Sequence, residues 1–272
     1  MKVKNIVIKV FLVICGLSFA FPILWMALTS LKADNEVYHN PLGLPEEWLF
    51  SNYPNAIKAF DFFRYVLNSS IYTLGTIVLT VACACLFAYA AARMKWKFSR
   101  FLMQYVQLGL LIPTAVVILS LYILLRDMHL KNTYMGIILV FTAGNIPFAS
   151  LVLYGYFRSL PFELEESAFI DGSGVFRTFF SIIFPMITPA VVTLVIVIFM
   201  SAWNEFFVSY IVIDDMKMRT IPVALQAFSS LRGTQWGLLG AALVVTSIPT
   251  LAIYLLGSEK IEDAISTTGI IK

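Results

Sequence analysis

Long stretches without a charged residue recur along the chain. Six windows contain no Asp, Glu, Lys or Arg, and they lie between Lys9 and Lys32, Arg64 and Arg93, Arg100 and Arg126, Lys131 and Arg158, Arg177 and Glu205, and Arg232 and Glu259. Each is longer than the ~20 apolar residues that a helix needs to cross a bilayer. One such window is compatible with a buried core helix, but six predict an all-α polytopic membrane protein.

The windows predict six transmembrane helices in a single domain of residues 1–272. We place the spans near residues 6–29, 67–92, 101–126, 134–157, 187–212 and 237–257. The first span is predicted to be a retained helix rather than a cleavable signal peptide, because its apolar run continues from Val10 to Leu31 without a small-x-small site at its end. With six spans, both termini lie on the same side of the membrane.

Composition agrees with this class. Of the 272 residues, 60% are hydrophobic and 13% are charged, which is about half the charged fraction of a soluble domain. The net charge of +3 gives no indication of a nucleic-acid partner. The cysteines Cys15, Cys83 and Cys85 fall inside proposed spans, and His39 and His129 fall in separate loops, so no metal site is predicted.

Basic residues predict the orientation. The loop Arg93 to Arg100 carries four bases and no acid, and such loops lie in the cytoplasm. Lys2, Lys4 and Lys9 before the first span agree, so both termini and the loop 158–186 are predicted to be cytoplasmic. The loop from Lys32 to Tyr65 is then external, and its scattered prolines, aromatic residues and acids predict a small ordered segment rather than a domain.

Polar residues and prolines within the spans are candidates for a transport pathway. Asn204 and Glu205 interrupt the fifth span, where a charge is costly. Glu205 either lines the pathway or its outer gate, or makes an interhelical hydrogen bond. Pro113, Pro147 and Pro249 lie mid-span and are candidate bends, although proline is common in membrane helices.

The loop 158–186 has a pattern of its own. Acids directly after Pro161 favour a helix start, and Asp171-Gly172-Ser173 predicts a turn, with Ser173 capping a second helix. Phe176, Phe179, Phe180 and Ile183 follow helical spacing and form one apolar stripe. Pro185 and Pro189 are expected to end that helix and to start the next span. The pattern alone predicts an amphipathic elbow under the membrane.

The spacing of this loop also resembles a family. Glu166-Ser167-Ala168, three residues, Gly172, nine residues and Ile182-Ile183-Phe184-Pro185 match the EAA loop of the permease subunits of ATP-binding-cassette (ABC) importers. Ser167 and Phe184 replace the usual Ala and Leu. Other segments resemble carbohydrate-uptake permeases of the maltose-transporter type, in particular the smaller six-span permease: Thr29 to Lys32, Asn52 and Tyr53, Arg64 to Ser69, Ala88 to Lys97, Ser201 to Phe206, and Ile221 to Gln226.

The resemblance implies a type I ABC importer permease fold with a cytoplasmic coupling helix that docks on an ATPase. The coupling residues it implies are Glu166, Ser167, Ala168, Asp171, Gly172, Phe176, Ile182 and Pro185. Glu166 would pair with a base of the ATPase. The implied partners are a homologous second permease, two ATPase subunits or a homodimer of one, an extracellular or periplasmic sugar-binding protein, and the membrane of a prokaryotic cell.

The chain is therefore predicted to be a non-catalytic permease subunit that imports a carbohydrate, such as a di- or oligosaccharide. It needs no cofactor, since ATP and Mg²⁺ would be bound by the ATPases, and no glycine here is followed by the lysine of a nucleotide-binding loop. A stand-alone secondary transporter or channel, or an ABC permease for a non-sugar solute, is the alternative. A membrane enzyme is not favoured, because no paired carboxylates or nucleophile constellation appears.

Overall fold

The computed structural model describes residues 2–59, 61–94, 96–230 and 233–269; Lys95 of the basic loop lies outside the described residues. The all-α architecture expected from the sequence is confirmed. The α-helices are α1 (Lys2–Thr29), α2 (Asp34–His39), α3 (Asn52–Ala59), α4 (Phe62–Arg93), α5 (Ser99–Gln107), α6 (Thr114–Asp127), α7 (Tyr134–Ser159), α8 (Glu163–Ile170), α9 (Val175–Thr178), α10 (Phe184–Trp203), α11 (Phe207–Val212), α12 (Ile221–Ala224) and α13 (Trp236–Gly269). Shorter elements are 3₁₀ turns at Leu108–Leu111, Met216–Met218 and Leu225–Phe228, a π turn at Phe179–Ile183, and an antiparallel pair of strands, β1 (Ser229–Ser230) and β2 (Gly233–Thr234).

Several of these helices are long and apolar enough to cross a membrane. Five qualify within the described residues: Ile6–Thr29, Phe62–Arg93, Tyr134–Ser159, Val175–Trp203 and Trp236–Leu255. A sixth candidate is the pair Ser99–Leu111 and Thr114–Asp127, which is bent by 103°. If that pair counts as one span, the total is six.

The third predicted span, residues 101–126, is broken. α5 and its 3₁₀ extension end at Leu111, and α6 starts at Thr114 in a different direction. Pro113 explains the break, because it has no N–H to donate and disfavours a helical conformation in the residue before it. Ile112 accordingly has an extended conformation, with φ −92° and ψ 109°. The prediction of one continuous helix here is therefore wrong, whereas a bend at Pro113 is observed.

The fifth predicted span, residues 187–212, starts and ends earlier than expected. One continuous helix, Val175–Trp203, runs through α9, the π turn and α10 over 29 residues. The π turn leaves Pro185 in the first turn of α10, where its missing N–H is tolerated, and Pro189 lies inside the same helix. The expectation that these two prolines end a helix is wrong, so the second half of the loop 158–186 belongs to the same helix as the fifth span.

The chain forms two compact units, residues 1–65 with 221–251 and residues 66–220 with 252–272. The assignment of 1–272 to a single permease domain stays a prediction. In the first unit, the segment after α1 folds around Lys32, whose side chain is 1% exposed. Its Nζ donates to the carbonyl oxygen of Asn40 at 2.5 Å and lies 3.9 Å from Glu36. The predicted small ordered segment therefore has a buried charge at its centre.

The start of α13 packs closely on this segment. The Gly237 N–H donates to Asp34 Oδ1 at 3.0 Å, so a carboxylate occupies the N-terminal end of the helix. A Cβ atom at Gly237 would lie 2.4 Å from the carbonyl oxygen of Lys32. Asn52 donates from Nδ2 to the same carbonyl at 3.0 Å. Only glycine at position 237 allows this approach.

The second unit contains an apolar core cluster drawn from helices α4, α6, α7, α10 and α11 and the residue after α11. It consists of Tyr72, Leu125, Ile137, Phe141, Ala202, Val208, Val212 and Ile213. Polar anchors close one end of it: Asn68 Nδ2 donates to the carbonyl oxygens of Lys217 and Arg219 at 2.8 and 3.0 Å. Tyr134 donates to Asn68 Oδ1 at 2.7 Å, which fixes the orientation of the amide.

Candidate functional site

The EAA segment, residues 158–186, begins with a short helix that ends in a defined turn. α8 carries three acids in its first turn and ends at Ile170, with Asp171 as its C-cap. Gly172 has φ +79°, a left-handed conformation that glycine adopts without strain. The Ser173 N–H donates to the Ala168 carbonyl at 2.9 Å and the Gly172 N–H to the Phe169 carbonyl at 3.0 Å. These two bonds form a Schellman motif, so the predicted turn at Gly172 is observed.

The second part of the segment departs from the prediction in its start and in its stripe. The N-cap of α9 is Gly174, not Ser173, and it makes no side-chain capping bond, whereas the Ser173 N–H closes the preceding turn. The predicted apolar stripe is divided: Phe179 and Ile183 are buried, whereas Phe176 and Phe180 are 77% and 60% exposed. Residues four apart still share a face, Phe179 with Ile183 inside and Phe176 with Phe180 outside, so the four positions form a buried and an exposed pair rather than one stripe.

Phe179 ties the segment to the core of the second unit. Its ring lies 4.8 Å from that of Tyr89 and 6.4 Å from that of Phe157, measured between centroids. Tyr89 and Phe157 are themselves 5.5 Å apart in an edge-to-face arrangement. Such aromatic pairs add about 0.5–1.5 kcal/mol each beyond the area they bury. The aromatic cluster thus anchors the base of the Val175–Trp203 helix to α4 and α7.

An ion pair anchors the first part of the segment. Arg93 Nε donates to Glu165 Oε2 at 2.8 Å, and their side chains are 1% and 7% exposed. The guanidinium carbon lies 3.8 Å from the centre of the Phe162 ring. The sequence does not predict this pair. Arg93 belongs to a basic loop and Glu165 is one acid among three, and a partner 72 positions away leaves no local signal.

The predicted coupling residues lie mostly on the outer side of the segment. Ala168 is buried and Ile182 is half-buried, whereas the others are exposed: Glu166, Ser167, Asp171, Gly172, Phe176 and Pro185. Ile170, which is not among the predicted coupling residues, is 85% exposed and is the most exposed large apolar residue of the segment. No atom lies within 4 Å of a Cβ built at Gly172. Exposed apolar side chains around an open turn are typical of an interaction surface.

A cavity of about 610 Å³ lies in the second unit, between the broken helices. It is lined by Gly109, Leu110, Ile112, Thr114, Val117, Leu121, Val140, Phe141, Ala143, Gly144, Asn145, Ser201, Ala202, Glu205, Phe207 and Val208. The breaks at Ile112 and Glu205 both open onto it. Pro147 cannot donate to the carbonyl of Ala143, so that oxygen loses its helical partner at the cavity wall. The polar residues Thr114, Asn145, Ser201 and Glu205 therefore lie in an otherwise largely apolar lining.

Glu205 and Asn204, the predicted pathway residues, hold the break between α10 and α11. The Glu205 carboxylate accepts from the N–H groups of Val208 and Ser209 at 2.7 and 3.0 Å, and from the Ser209 hydroxyl at 2.9 Å. Asn204 Nδ2 donates to the Met200 carbonyl at 2.9 Å. The fifth predicted span ends here because the carboxylate replaces the helical acceptors for the start of α11. Glu205 lines the cavity as well, whereas Asn204 is not among the lining residues.

Among the described residues, no three His, Cys, Asp or Glu side chains come together as metal ligands. The arrangement has two chemically distinct parts: an exposed turn beside buried anchors, and a cavity with polar groups at two helix breaks. The first is suited to binding a protein, and the second to admitting a small polar solute.

Comparisons with known proteins identify the family of the chain. A family model described as "Binding-protein-dependent transport system inner membrane component" matches residues 83–258. The probable ABC transporter permease protein YurM of Bacillus subtilis (strain 168) is 35% identical over 247 residues, covering 91% of this chain and 82% of YurM. The diacetylchitobiose uptake system permease protein NgcG of Streptomyces coelicolor is 34% identical over 248 residues, covering 90% of this chain and 82% of NgcG.

The fold is shared with a solved structure of a bacterial ABC transporter involved in the import of the acidic polysaccharide alginate. The TM-score is 0.82, with 95% of this chain and 96% of that chain covered, at 21% sequence identity. At this identity the likeness concerns the fold.

Proposed function

This chain belongs to the family of binding-protein-dependent transport system inner membrane components, the permease subunits of ABC transporters, and we propose that it imports a carbohydrate by alternating access driven by a separate ATPase. Its fold is the type I ABC importer permease fold expected from the EAA spacing. The proposed complex contains a homologous second permease, two ATPase subunits or a homodimer of one, and a sugar-binding protein outside the cell. ATP and Mg²⁺ are bound by the ATPases.

The proposal of ATPase coupling rests on the surface around Gly172. Glu166 supplies an exposed charge, and Ile170 and Phe176 are 85% and 77% exposed. Behind them, Glu165 is anchored in the second unit, and the Val175–Trp203 helix continues directly from the turn. A surface built this way can take up a force and pass it into a span. In the proposed topology, this surface and both termini of the chain face the cytoplasm.

The lining of the cavity supports the proposal that the solute is neutral and rich in hydroxyl groups. Its polar lining consists of the Thr114 and Ser201 hydroxyls, the Asn145 amide and the Glu205 carboxylate. The carboxylate is already engaged by α11, so its charge is matched within the protein. Sugar hydroxyls can both donate to and accept from such groups. NgcG is a diacetylchitobiose uptake system permease protein, which agrees with a di- or oligosaccharide as the solute.

Reconstitution tests this proposal. The full chain is co-expressed with the neighbouring permease, ATPase and binding-protein genes, purified and placed in proteoliposomes. We expect uptake of the sugar held by the binding protein to require ATP inside the vesicles. Uptake that persists without ATP and follows an ion gradient would identify a secondary transporter, and uptake of a non-sugar solute would refute the carbohydrate assignment.

Two variants test the coupling surface. Glu166→Ala removes the exposed charge, and Gly172→Asp places a charged side chain on the open turn. We expect both to remain in the membrane and to co-purify with less ATPase. Glu163→Ala, an exposed acid on the same helix, is the matched control. Equal ATPase binding by all three variants would remove the case for docking at this surface.

A further inference from the structure

The buried end of α4 joins three elements at a single side chain. Arg93 is the last residue of α4, and besides Glu165 it contacts the linker between α7 and α8. Its Nη1 donates to the carbonyl oxygens of Phe157 and Leu160 at 3.2 and 2.8 Å, and its Nη2 donates to that of Pro161 at 2.9 Å. Arginine has five N–H donors, and these contacts use four of them.

Two of the carbonyl groups that Arg93 binds, those of Leu160 and Pro161, lie beyond the end of α7, and the third, that of Phe157, also accepts from the Leu160 N–H at 3.3 Å. α7 ends at Ser159, so its last carbonyls lack helical partners, and the next residues include Pro161, which has no N–H. A positive charge at a helix C-terminus is also favourable. The guanidinium therefore satisfies the end of α7, while the Glu165 carboxylate attaches the start of α8 to the same group.

Stability alone does not explain a buried ion pair at this place. Replacing such a pair by well-packed apolar residues is often neutral or stabilising, whereas a bidentate or multiply bonded arginine fixes direction and distance. α8 is anchored by Glu165 on one side, and on its other side it exposes Glu166 and Ile170. A displacement of α8 relative to α4 or α7 would leave a buried charge unpaired.

We propose that Arg93 and Glu165 are positioning residues for energy coupling, which make α8, the end of α4 and the end of α7 move as one body. This rests on the proposed function of the EAA segment as the ATPase docking site. A force on α8 then reaches the spans by two routes: through Arg93 into α4 and α7, and through the turn at Gly172 into the Val175–Trp203 helix. Neither residue touches the solute or nucleotide in this scheme.

Paired variants separate positioning from stability. In reconstituted transporter, Glu165→Gln keeps the size of the side chain, Arg93→Lys keeps the charge but loses the planar fork, and Arg93→Met with Glu165→Leu restores an apolar contact. The quantity measured is sugar imported per ATP hydrolysed. We expect all three to retain bound ATPase and substantial hydrolysis, with import per ATP reduced about five- to tenfold. Glu163→Gln, exposed on the same helix, should keep the wild-type ratio.

Wild-type import per ATP in the apolar pair would overturn the inference, because a purely structural role is fulfilled by packing. If the wild-type complex itself lacks ATPase or ATP-dependent uptake, the proposed function fails instead, so the two failures are distinguishable.

A measurement on the intact pair covers the case in which the variants do not fold. Spin labels are placed on the exposed native Cys83 of α4 and on Glu163→Cys of α8, with Cys15 and Cys85 replaced by alanine. The distance between them is compared in the nucleotide-free and ATP-bound complexes. We expect the same distance distribution in both states. A shift between them would show that α8 moves independently of α4 and would refute the inference.

Discussion

The Glu205 carboxylate holds α11 in place, and its removal should lower the free energy of unfolding. Glu205→Ala takes the acceptor from the N–H groups of Val208 and Ser209 and from the Ser209 hydroxyl. Val208 and Ser209 are 4% and 0% exposed, so their donors have little access to water except from the cavity side. At about 1 kcal/mol for each lost bond, we expect the free energy of unfolding to fall by about 3 kcal/mol.

Glu205→Gln separates the cap from the charge. The amide keeps one oxygen that can accept from α11, so the expected loss is only about 1 kcal/mol. Asn204→Ala is the matched control, because it removes a single bond to the Met200 carbonyl from an exposed side chain. Its expected loss is below about 1 kcal/mol. The measurement is equilibrium unfolding in mixed micelles, followed by far-UV circular dichroism.

Transport kinetics complete the test, because Glu205 also lines the cavity. If the carboxylate acts only as a cap, Glu205→Gln should leave the KM for uptake unchanged once the protein has folded. A raised KM with near-wild-type stability would indicate solute contact. The capping argument itself is refuted if Glu205→Ala unfolds within about 0.5 kcal/mol of the wild type, the range of an ordinary surface substitution.

Two further predictions concern backbone geometry, and a third concerns the ion pair between Lys131 and Asp214. Gly172→Ala should cost about 1–2 kcal/mol of unfolding free energy, because φ is +79° although space is open. Gly237→Ala should cost roughly 1–3 kcal/mol, because the added Cβ would lie 2.4 Å from a backbone oxygen. Gly155→Ala, helical with nothing within 4 Å, is the control for both and should not destabilise; equal losses in all three would contradict the geometric argument. The side-chain hydrogen bond to Asp214 raises the pKa of Lys131, so the charged form of Lys131 stabilises the folded state. Lys131→Met should therefore lower the free energy of unfolding at neutral pH. This difference from the wild type should vanish as pH rises through the raised pKa. A difference that persists at strongly alkaline pH would show that the ion pair is not its cause.

The spans were predictable because bilayer thickness imposes a long, local and charge-free pattern. α4 and α7 are observed at Phe62–Arg93 and Tyr134–Ser159, close to the predicted 67–92 and 134–157. The turn at Gly172 was equally local, since Gly is the residue that adopts positive φ without strain. Features that depend only on one or two turns of chain can thus be predicted without a structure.

The interruptions were harder to predict, because each has two outcomes that local sequence does not separate. Pro113 breaks its helix by 103°, whereas Pro147, Pro189 and Pro249 lie inside continuous helices. Which outcome occurs depends on neighbouring packing and, near Pro185, on a π turn. The Arg93–Glu165 pair was not predictable for a different reason. Its two residues are far apart in sequence, and their burial depends on how α4, α7 and α8 assemble.

The uninterrupted helix from Val175 to Trp203 has a mechanical consequence. At 1.5 Å per residue, its 29 residues measure about 43 Å, which is roughly 13 Å more than the hydrocarbon core. One end adjoins the Gly172 turn, and the other carries Ser201 and Ala202 into the cavity wall. A tilt of about 10° around its midpoint would displace each end by about 4 Å in opposite directions, by simple geometry on that length. A stroke at the turn would thus change the width of the cavity without any rearrangement of the backbone between them.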